Sequence, residues 1–438
     1  MIVLQNARHY RILSLCNKSF VASLRFYKFS AMQKFLLFIA IIALFASCSE
    51  SSSELKTGHW RGVIGLQGQR LPFQFDIERD SSGSIIAFIQ NASERIKLDE
   101  IHFFGDSISF VLHIFDAQLR VKNHGDSLTG YYTKDYVDDY KIPFVAYYNQ
   151  HFRFPTGSPA HRDFSGKYDV TFTSKNESKK AVGVFEQNGN SVTGTFLLKS
   201  GDYRYLEGNV VGDTLRLSTF DGNHAYFFKA AFDGDSLVGE YWSGKTYYAT
   251  WTGIRDDSAA LPDPESQTYM KEGYDRIEFS FPTLSGDSIS LRDPDFQNKI
   301  VILQLFGTWC PNCMDETIFL RDWYNKNRDR GIEIIGLAYE QKADYEYARN
   351  RVLKMKERLK VNYPMLIAGT SDNDEASKTL PMLNRVAAFP TMIIIGRDGK
   401  VRHIHTGFTG PGTGIYYEQF QERFNEVMNE LLAENPPS

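Results

Sequence analysis

Five times between residues 105 and 237 the chain repeats a glycine, then Asp or Asn, then Ser or Thr, then an apolar residue. The copies are Gly105-Asp106-Ser107-Ile108, Gly125-Asp126-Ser127-Leu128, Gly189-Asn190-Ser191-Val192, Gly212-Asp213-Thr214-Leu215 and Gly234-Asp235-Ser236-Leu237. Glycine admits positive φ without steric cost, the Asp or Asn favours a tight turn, and the apolar residue opens the next strand. Between the turns lie stretches such as "RLPFQFDIE", "SISFVLHIF" and "AYFFKAAF", whose β-branched and aromatic residues suit a pleated surface. Residues 58–254 are thereby restricted to short antiparallel strands. The copies also recur as a set: Gly105 corresponds with Gly212, Gly125 with Gly234 and Trp60 with Tyr168, at offsets of 107, 109 and 108. "GDSLTGYY" likewise matches "GDSLVGEY". The expectation is two duplicated antiparallel β-barrel or sandwich modules, at 58–150 and 160–254, split near "HFRFPTGSPAHRDF". One large sandwich with similar hairpins is the competing arrangement. His102, His113, His124 and His224 are scattered through this region, and it carries no catalytic constellation.

After Ile254 the pattern changes. "RDDSAALPDPESQ" opens a polar linker, 255–272. "KIVILQLF" and "IEIIGLAYE" are near-continuous apolar strands suited to a sheet covered on both faces, and helical stretches alternate with them. A hairpin turning on Gly286-Asp287 precedes them, a charged helix covers about 343–360, and an amphipathic helix spans 416–433. Residues 273–438 therefore read as an α/β domain with a mixed sheet. The whole is multidomain, as 438 residues require. A formal net charge of −4 gives no basic excess to attract nucleic acid.

At the other end, "MQKFLLFIAIIALFASC" (residues 32–48) places a basic residue before an apolar run too short to span a membrane, then small residues and Cys48. It resembles a bacterial lipoprotein signal, departing from that pattern at Phe45, where Leu is usual. The resemblance implies an N-terminal extension and signal at 1–48, lipidation of Cys48, and a polar tether at 49–57. An ordinary cleaved signal is the alternative. Either way the protein is expected in the cell envelope on the periplasmic side, lipid-anchored in the first case. With Cys16 and Cys48 so accounted for, the mature body keeps only Cys310 and Cys313, in an oxidising compartment.

Those two cysteines, in "FGTWCPNCMDE", are open to three uses. Zinc requires a second half-site, and His403 and His405 on one strand make a poor one. A purely structural bridge over so short a loop gains little. A catalytic dithiol has a mechanism: a buried strand runs through Gly307-Thr308-Trp309 into a helix, so Cys310 stands at a helix N-terminus that favours its thiolate. Cys313 lies one turn on, placed to attack a mixed disulfide at Cys310.

"FGTWCPNC" after a buried strand, together with "AAFPT" at 387–391, resembles the active site and cis-proline loop of the thioredoxin superfamily. The early hairpin, the helical insert before "YPMLIAG" and Glu316 bring the region 277–434 nearest to the exported TlpA/ResA-like thiol–disulfide oxidoreductases. This implies a redox disulfide between Cys310 and Cys313, with Cys310 as nucleophile and Cys313 as resolving thiol. Glu316 would tune the dithiol and move protons; its alternative is an ordinary acid in a first helical turn. Gln304 occupies the place where thioredoxins bury an acid, so proton transfer falls to Glu316 or water. Trp309, Phe389, Pro390 and Thr391 would meet the substrate. No cofactor is implied. The partners would be disulfide-bearing protein substrates and a membrane-bound electron donor, with a reducing role favoured. Two alternatives stay open: a thiol peroxidase, which needs Thr where this chain has Gly307, and an envelope ligand-binding β protein with an accessory redox domain.

Overall fold

The computed structural model describes residues 54–434, so Cys16, Cys48 and the signal segment lie outside the described residues. Two all-β bodies precede an α/β domain. The first is a nine-stranded antiparallel sheet running from Gly58–Leu66 to Lys141–Tyr148. Its first strand pairs on one side with Gln69–Arg79 and on the other with the last strand. Glu94–Leu98 and Ile101–Phe104, consecutive in the chain, stand at the two ends of its strand order. The second body closes into a barrel. Gly166–Thr173 pairs with both Ser178–Asn188 and Tyr247–Arg255, and Ser191–Leu198 joins Ser178–Asn188 to Leu206–Val211.

The duplication is visible in the register. Trp60 lies opposite Phe75 and Tyr148 in the first sheet, and Tyr168 lies opposite Gly183 and Arg255 in the second. Each partner in the second sheet sits 107 or 108 residues after its counterpart. Alternation makes the barrel: along Gly166–Thr173 every second residue is buried. Tyr168, Phe172, Phe185, Phe196 and Trp251 then fill the interior, none more than 2% exposed.

The glycine shared by "GDSLTGYY" and "GDSLVGEY" has a packing reason. A Cβ on Gly130 would drive into the Arg120 carbonyl on the neighbouring strand, and one on Gly239 would meet the Trp251 indole and the Lys229 carbonyl. Gly130→Ala should therefore force the strands apart and lower stability by about 1–3 kcal/mol; a denaturant midpoint equal to the wild type's would contradict this.

The α/β domain has a five-stranded sheet in the order Met365–Thr370, Ile332–Glu340, Ile300–Phe306, Thr391–Ile395, Val401–Thr406. The first three are parallel and the last two antiparallel. Every residue of Ile300–Phe306 is buried, as its apolar run requires for a strand covered on both faces. The hairpin forms as Ser280–Pro282 against Ser288–Ser290. Among the described residues no helix is long and apolar enough to cross a membrane.

The β bodies are joined to this domain rather than tethered to it. The helix Tyr345–Arg358 lays Lys354 and Arg358 against Glu100, and Arg358 also against Asp99 at 2.7 Å. The polar 255–272 stretch is anchored too. Thr268 is fully buried, the Tyr269 N–H donates to Asn384 Oδ1 at 2.8 Å, and Met270 bridges to Leu383.

Candidate active site

The strand Ile300–Phe306 delivers the chain through Gly307-Thr308-Trp309 to the helix Pro311–Asn327, and Cys310 is that helix's N-cap. Proline at the first helical position fits because its missing N–H has no intrahelical partner to lose. Cys310 and Cys313 are joined in a disulfide with their Cα atoms 5.2 Å apart. The Cys313 N–H donates to Cys310 Sγ at 3.2 Å, so the first turn directs a backbone donor at this sulfur. That donor and the helix dipole stabilise a thiolate once the bridge is reduced. Cys310 is 6% exposed and Cys313 is 0% exposed, so Cys310 is the sulfur an outside group can reach.

Facing the dithiol is the loop that carries a cis Phe389–Pro390 peptide. Cys310 Sγ lies 3.8 Å from the Phe389 carbonyl oxygen. Trp309 sets its ring edge-on to Phe389, centroids 6.0 Å apart, while its Nε1 donates to the Tyr339 carbonyl at 2.9 Å. Thr391 is fully buried and its hydroxyl donates to the Ala388 carbonyl at 2.8 Å, so it braces the loop from below. Ala387 and Ala388 are the half-exposed residues beside Cys310.

Behind the dithiol lie two buried acids. Glu316 is 0% exposed; Gln304 Nε2 donates to its Oε2 at 3.0 Å, and its Oε1 has no hydrogen-bond partner among the described residues. Burial pushes this carboxyl up to about 8, against the smaller opposing effect of the Gln304 hydrogen bond. Gln304 Nε2 also lies 3.4 Å from the Cys313 carbonyl oxygen, while its own oxygen accepts from Thr317 at 3.1 Å and Tyr363 at 3.3 Å. The amide thus links Glu316 to the turn that holds Cys313. The second acid, Glu340, was not anticipated from the sequence. It accepts from the Thr308 N–H and hydroxyl, both at 2.8 Å, and burial raises its pKa against those bonds. Its signal is an acid closing the apolar run "IIGLAY" of the strand Ile332–Glu340.

The β half, read from sequence as lacking site residues, reaches the redox centre directly. Asn223 Nδ2 donates to the Trp309 carbonyl at 2.6 Å. Asn312, between the cysteines, donates to the Asp202 carbonyl at 3.3 Å. Gly201, at φ 139°, is pressed so close that a Cβ would lie 2.5 Å from the Asn312 amide. Arg204 is the central contact. Its guanidinium donates to the Pro311 carbonyl at 3.0 Å and pairs with both Asp315 and Glu94, with Asp221 at 4.0 Å. Burial works against its charge, but Asp315, Glu94 and Asp221 outweigh it and hold the pKa well above the usual arginine range. No local pattern announces this residue, because Pro311 and Glu94 each lie more than 100 residues away along the chain.

His403 pairs with Glu265 at 3.3 Å, and burial holds His405 down to about 4. Among the described residues no cluster of three or more His, Cys, Asp or Glu is placed to hold a metal ion.

Residues 273–404 match the AhpC/TSA family. A ResA thiol–disulfide oxidoreductase from Bacillus cereus is 29% identical over 132 residues, covering 30% of this chain and 68% of that protein. Thioredoxin-like protein YneN from Bacillus subtilis is 26% identical over 147 residues, covering 32% of this chain and 78% of its own. Among solved structures, a thioredoxin-family thiol:disulfide interchange protein from Chlorobium tepidum TLS is 20% identical and covers 40% of this chain and 100% of its own, with a TM-score of 0.28. The C-terminal part of the chain is thus a thioredoxin-like α/β domain similar in sequence to the ResA thiol–disulfide oxidoreductases, preceded by an all-β region of barrel-like sheets.

Proposed function

We propose that the chain is an exported thiol–disulfide oxidoreductase, lipid-anchored through Cys48 in the cell envelope, that reduces disulfides of protein substrates. The observation that carries this reading is one sulfur open to approach, Cys310, at a helix N-terminus, bonded to a fully buried partner and lying against the cis Phe389–Pro390 loop. In the reduced enzyme the Cys310 thiolate attacks a substrate disulfide. A mixed disulfide forms, and the first substrate sulfur leaves as a thiolate that takes a proton from solvent. Cys313 then gives its proton to the Glu316 carboxylate and attacks Cys310 Sγ, releasing the second substrate thiolate. The substrate gains two electrons and the enzyme is left with the Cys310–Cys313 bridge. A membrane-bound dithiol donor restores it by the reverse exchange. Phe389 and Pro390, themselves buried, shape the loop whose half-exposed Ala387 and Ala388, with Trp309, offer the backbone and apolar surface against which the substrate chain lies during attack.

The experiment is trapping. Cys313→Ala retains the attacking thiol and removes the resolving one, so covalent mixed disulfides with envelope proteins should accumulate. Cys310→Ser, or Cys310→Ser combined with Cys313→Ala, should give none, and equal trapping by both would sink the proposal. For direction, a measured potential near that of strong oxidants, about −120 mV, would overturn the reducing role. The match to the AhpC/TSA family favours one second reading, a thiol peroxidase. Position 307 is glycine where such an enzyme needs threonine, and rapid Cys310-dependent consumption of peroxide would be the result that supports it.

A further inference from the structure

Cys310 lies on one wall of a half-open cavity of about 1250 Å³, and residues at the mouth of the second β-barrel line it as well. Tyr203 and Tyr247, both partly exposed, line it from that mouth, backed by the buried Tyr226 and Tyr241. Their rings hold one another in place, with centroids 4.9 Å apart for Tyr203–Tyr226, 5.3 Å for Tyr203–Tyr241 and 5.7 Å for Tyr241–Tyr247. Tyr226 and Tyr241 belong to the buried barrel core with Phe172, Phe196 and Trp251, whereas Tyr203 and Tyr247 pack on that core and keep part of their surface toward the cavity. The distance between the two walls is fixed as well, since Asn223, Asp202 and Arg204 bind the barrel to the residues flanking and separating the cysteines.

Resting on the oxidoreductase reading above, we propose that the mouth of the second barrel is the far wall of the substrate site and binds an extended, disulfide-bearing peptide segment through its tyrosines. Size points to a chain segment: the cavity exceeds the range of about 300–1,000 Å³ typical of small-molecule sites. The lining chemistry points the same way. Tyrosine gives large, rigid, amphipathic contact at low conformational cost, which suits a peptide whose side chains vary. Charge does not select the ligand, because rim lysines are balanced by acids, with Lys180 paired to Asp169 at 2.9 Å. In an extended segment alternate side chains share a face, so a residue two places from the reacting cysteine projects on the same side as its sulfur. An aromatic or apolar residue there, or next to the cysteine, is the preferred flank. A compact folded protein, whose disulfide cannot enter between the walls, is a poor substrate.

Two measurements on the full chain test this. The first compares kcat/KM for a short unstructured peptide, with phenylalanine beside a cysteine held in mixed disulfide with glutathione, against kcat/KM for hydroxyethyl disulfide. In Tyr247→Ala the peptide-to-small-disulfide ratio should fall about tenfold through the lost ring contact. A ratio equal to the wild type's overturns the barrel wall. The second needs no change in the barrel. Cys313→Ala protein is loaded with the same peptide carrying a benzophenone, irradiated and mapped. Crosslinks within residues 199–247 are expected, and crosslinks confined to 273–434 overturn the proposal. If the wild type turns over neither disulfide through Cys310, the oxidoreductase reading fails and the proposal with it. Turnover with an unchanged ratio strikes the barrel wall alone.

Discussion

Arg204→Met should lower folding stability by about 3–5 kcal/mol at neutral pH, the loss typical of removing one partner from a buried ion pair. The side chain of Arg204 is 4% exposed, and those of Glu94, Asp315 and Asp221 are 8%, 10% and 1% exposed. Removing the cation leaves three carboxylates where water does not reach. They relieve the cost by binding protons, so their folded pKa values rise above the unfolded values of about 4. The sign follows. The variant's folded state then holds protons that its unfolded state has released, so its stability falls as pH rises above about 4. Burial already raises Asp315 to about 7 in the wild type, so the deficit relative to wild type should be small near pH 4 and grow as pH rises to and beyond 7, as read by denaturant unfolding across that range. Arg204→Lys should rescue little, because a single ammonium cannot serve Glu94, Asp315 and the Pro311 carbonyl at once as the planar fork does. Because the guanidinium also holds Pro311 and Asp315, amide exchange in the first turn of the cysteine helix should quicken in both variants. A deficit below 1 kcal/mol that does not change with pH would show that Arg204 is not what secures the β half to the redox centre.

That contact marks the boundary of what the sequence discloses. Where a feature depends on neighbours along the chain, it could be read. The Gly-Asp-Ser turns gave the strands, the offset near 108 gave the duplication, and a buried strand entering "CPNC" placed Cys310 at a helix N-terminus. Features made by distant pairing could not be read. The offset implies similar modules, but the second closes into a barrel because Gly166–Thr173 pairs with the distant Tyr247–Arg255 while Ser191–Leu198 pairs with both Ser178–Asn188 and Leu206–Val211. In the first, the strands Glu94–Leu98 and Ile101–Phe104 end up at opposite ends of the sheet. Glu340 became a buried acid because Thr308, 32 residues earlier, supplies both its hydrogen bonds. Asn223 and Arg204 carry no motif at all. Polar residues in barrel loops are ordinarily solvated, and their role exists only because the loops land on the cysteine helix.

Glu316→Gln should change both the pH dependence of stability and the rate of the resolving step. The carboxyl is fully buried and raised to about 8 from an ordinary value of 4.5, chiefly by desolvation. Over the window from about pH 4.5 to about 8, the folded oxidised protein therefore holds a proton that the unfolded chain has given up. Stability falls with rising pH there, by up to about 1.4 kcal/mol per pH unit from this one group. Glutamine is neutral throughout, so the variant loses that slope and gains on the wild type as pH increases. Catalysis moves the other way. Cys313 is buried and must shed a proton before it can attack Cys310, and glutamine cannot accept one. The resolving rate at pH 7 should drop by roughly 10²-fold, within the usual range for a lost general base. The wild-type rate should rise through pH 8 as the carboxylate forms, and that inflection should be missing from the variant. Stopped-flow measurement of mixed-disulfide decay, beside denaturant unfolding at several pH values, separates the two effects. Glu316 is the sixth residue of its helix, beyond the first turn; if it were only a buried structural acid, the substitution would leave the pH profile of the decay in place. Loss of the inflection together with loss of the stability slope would assign both to one proton on one carboxyl.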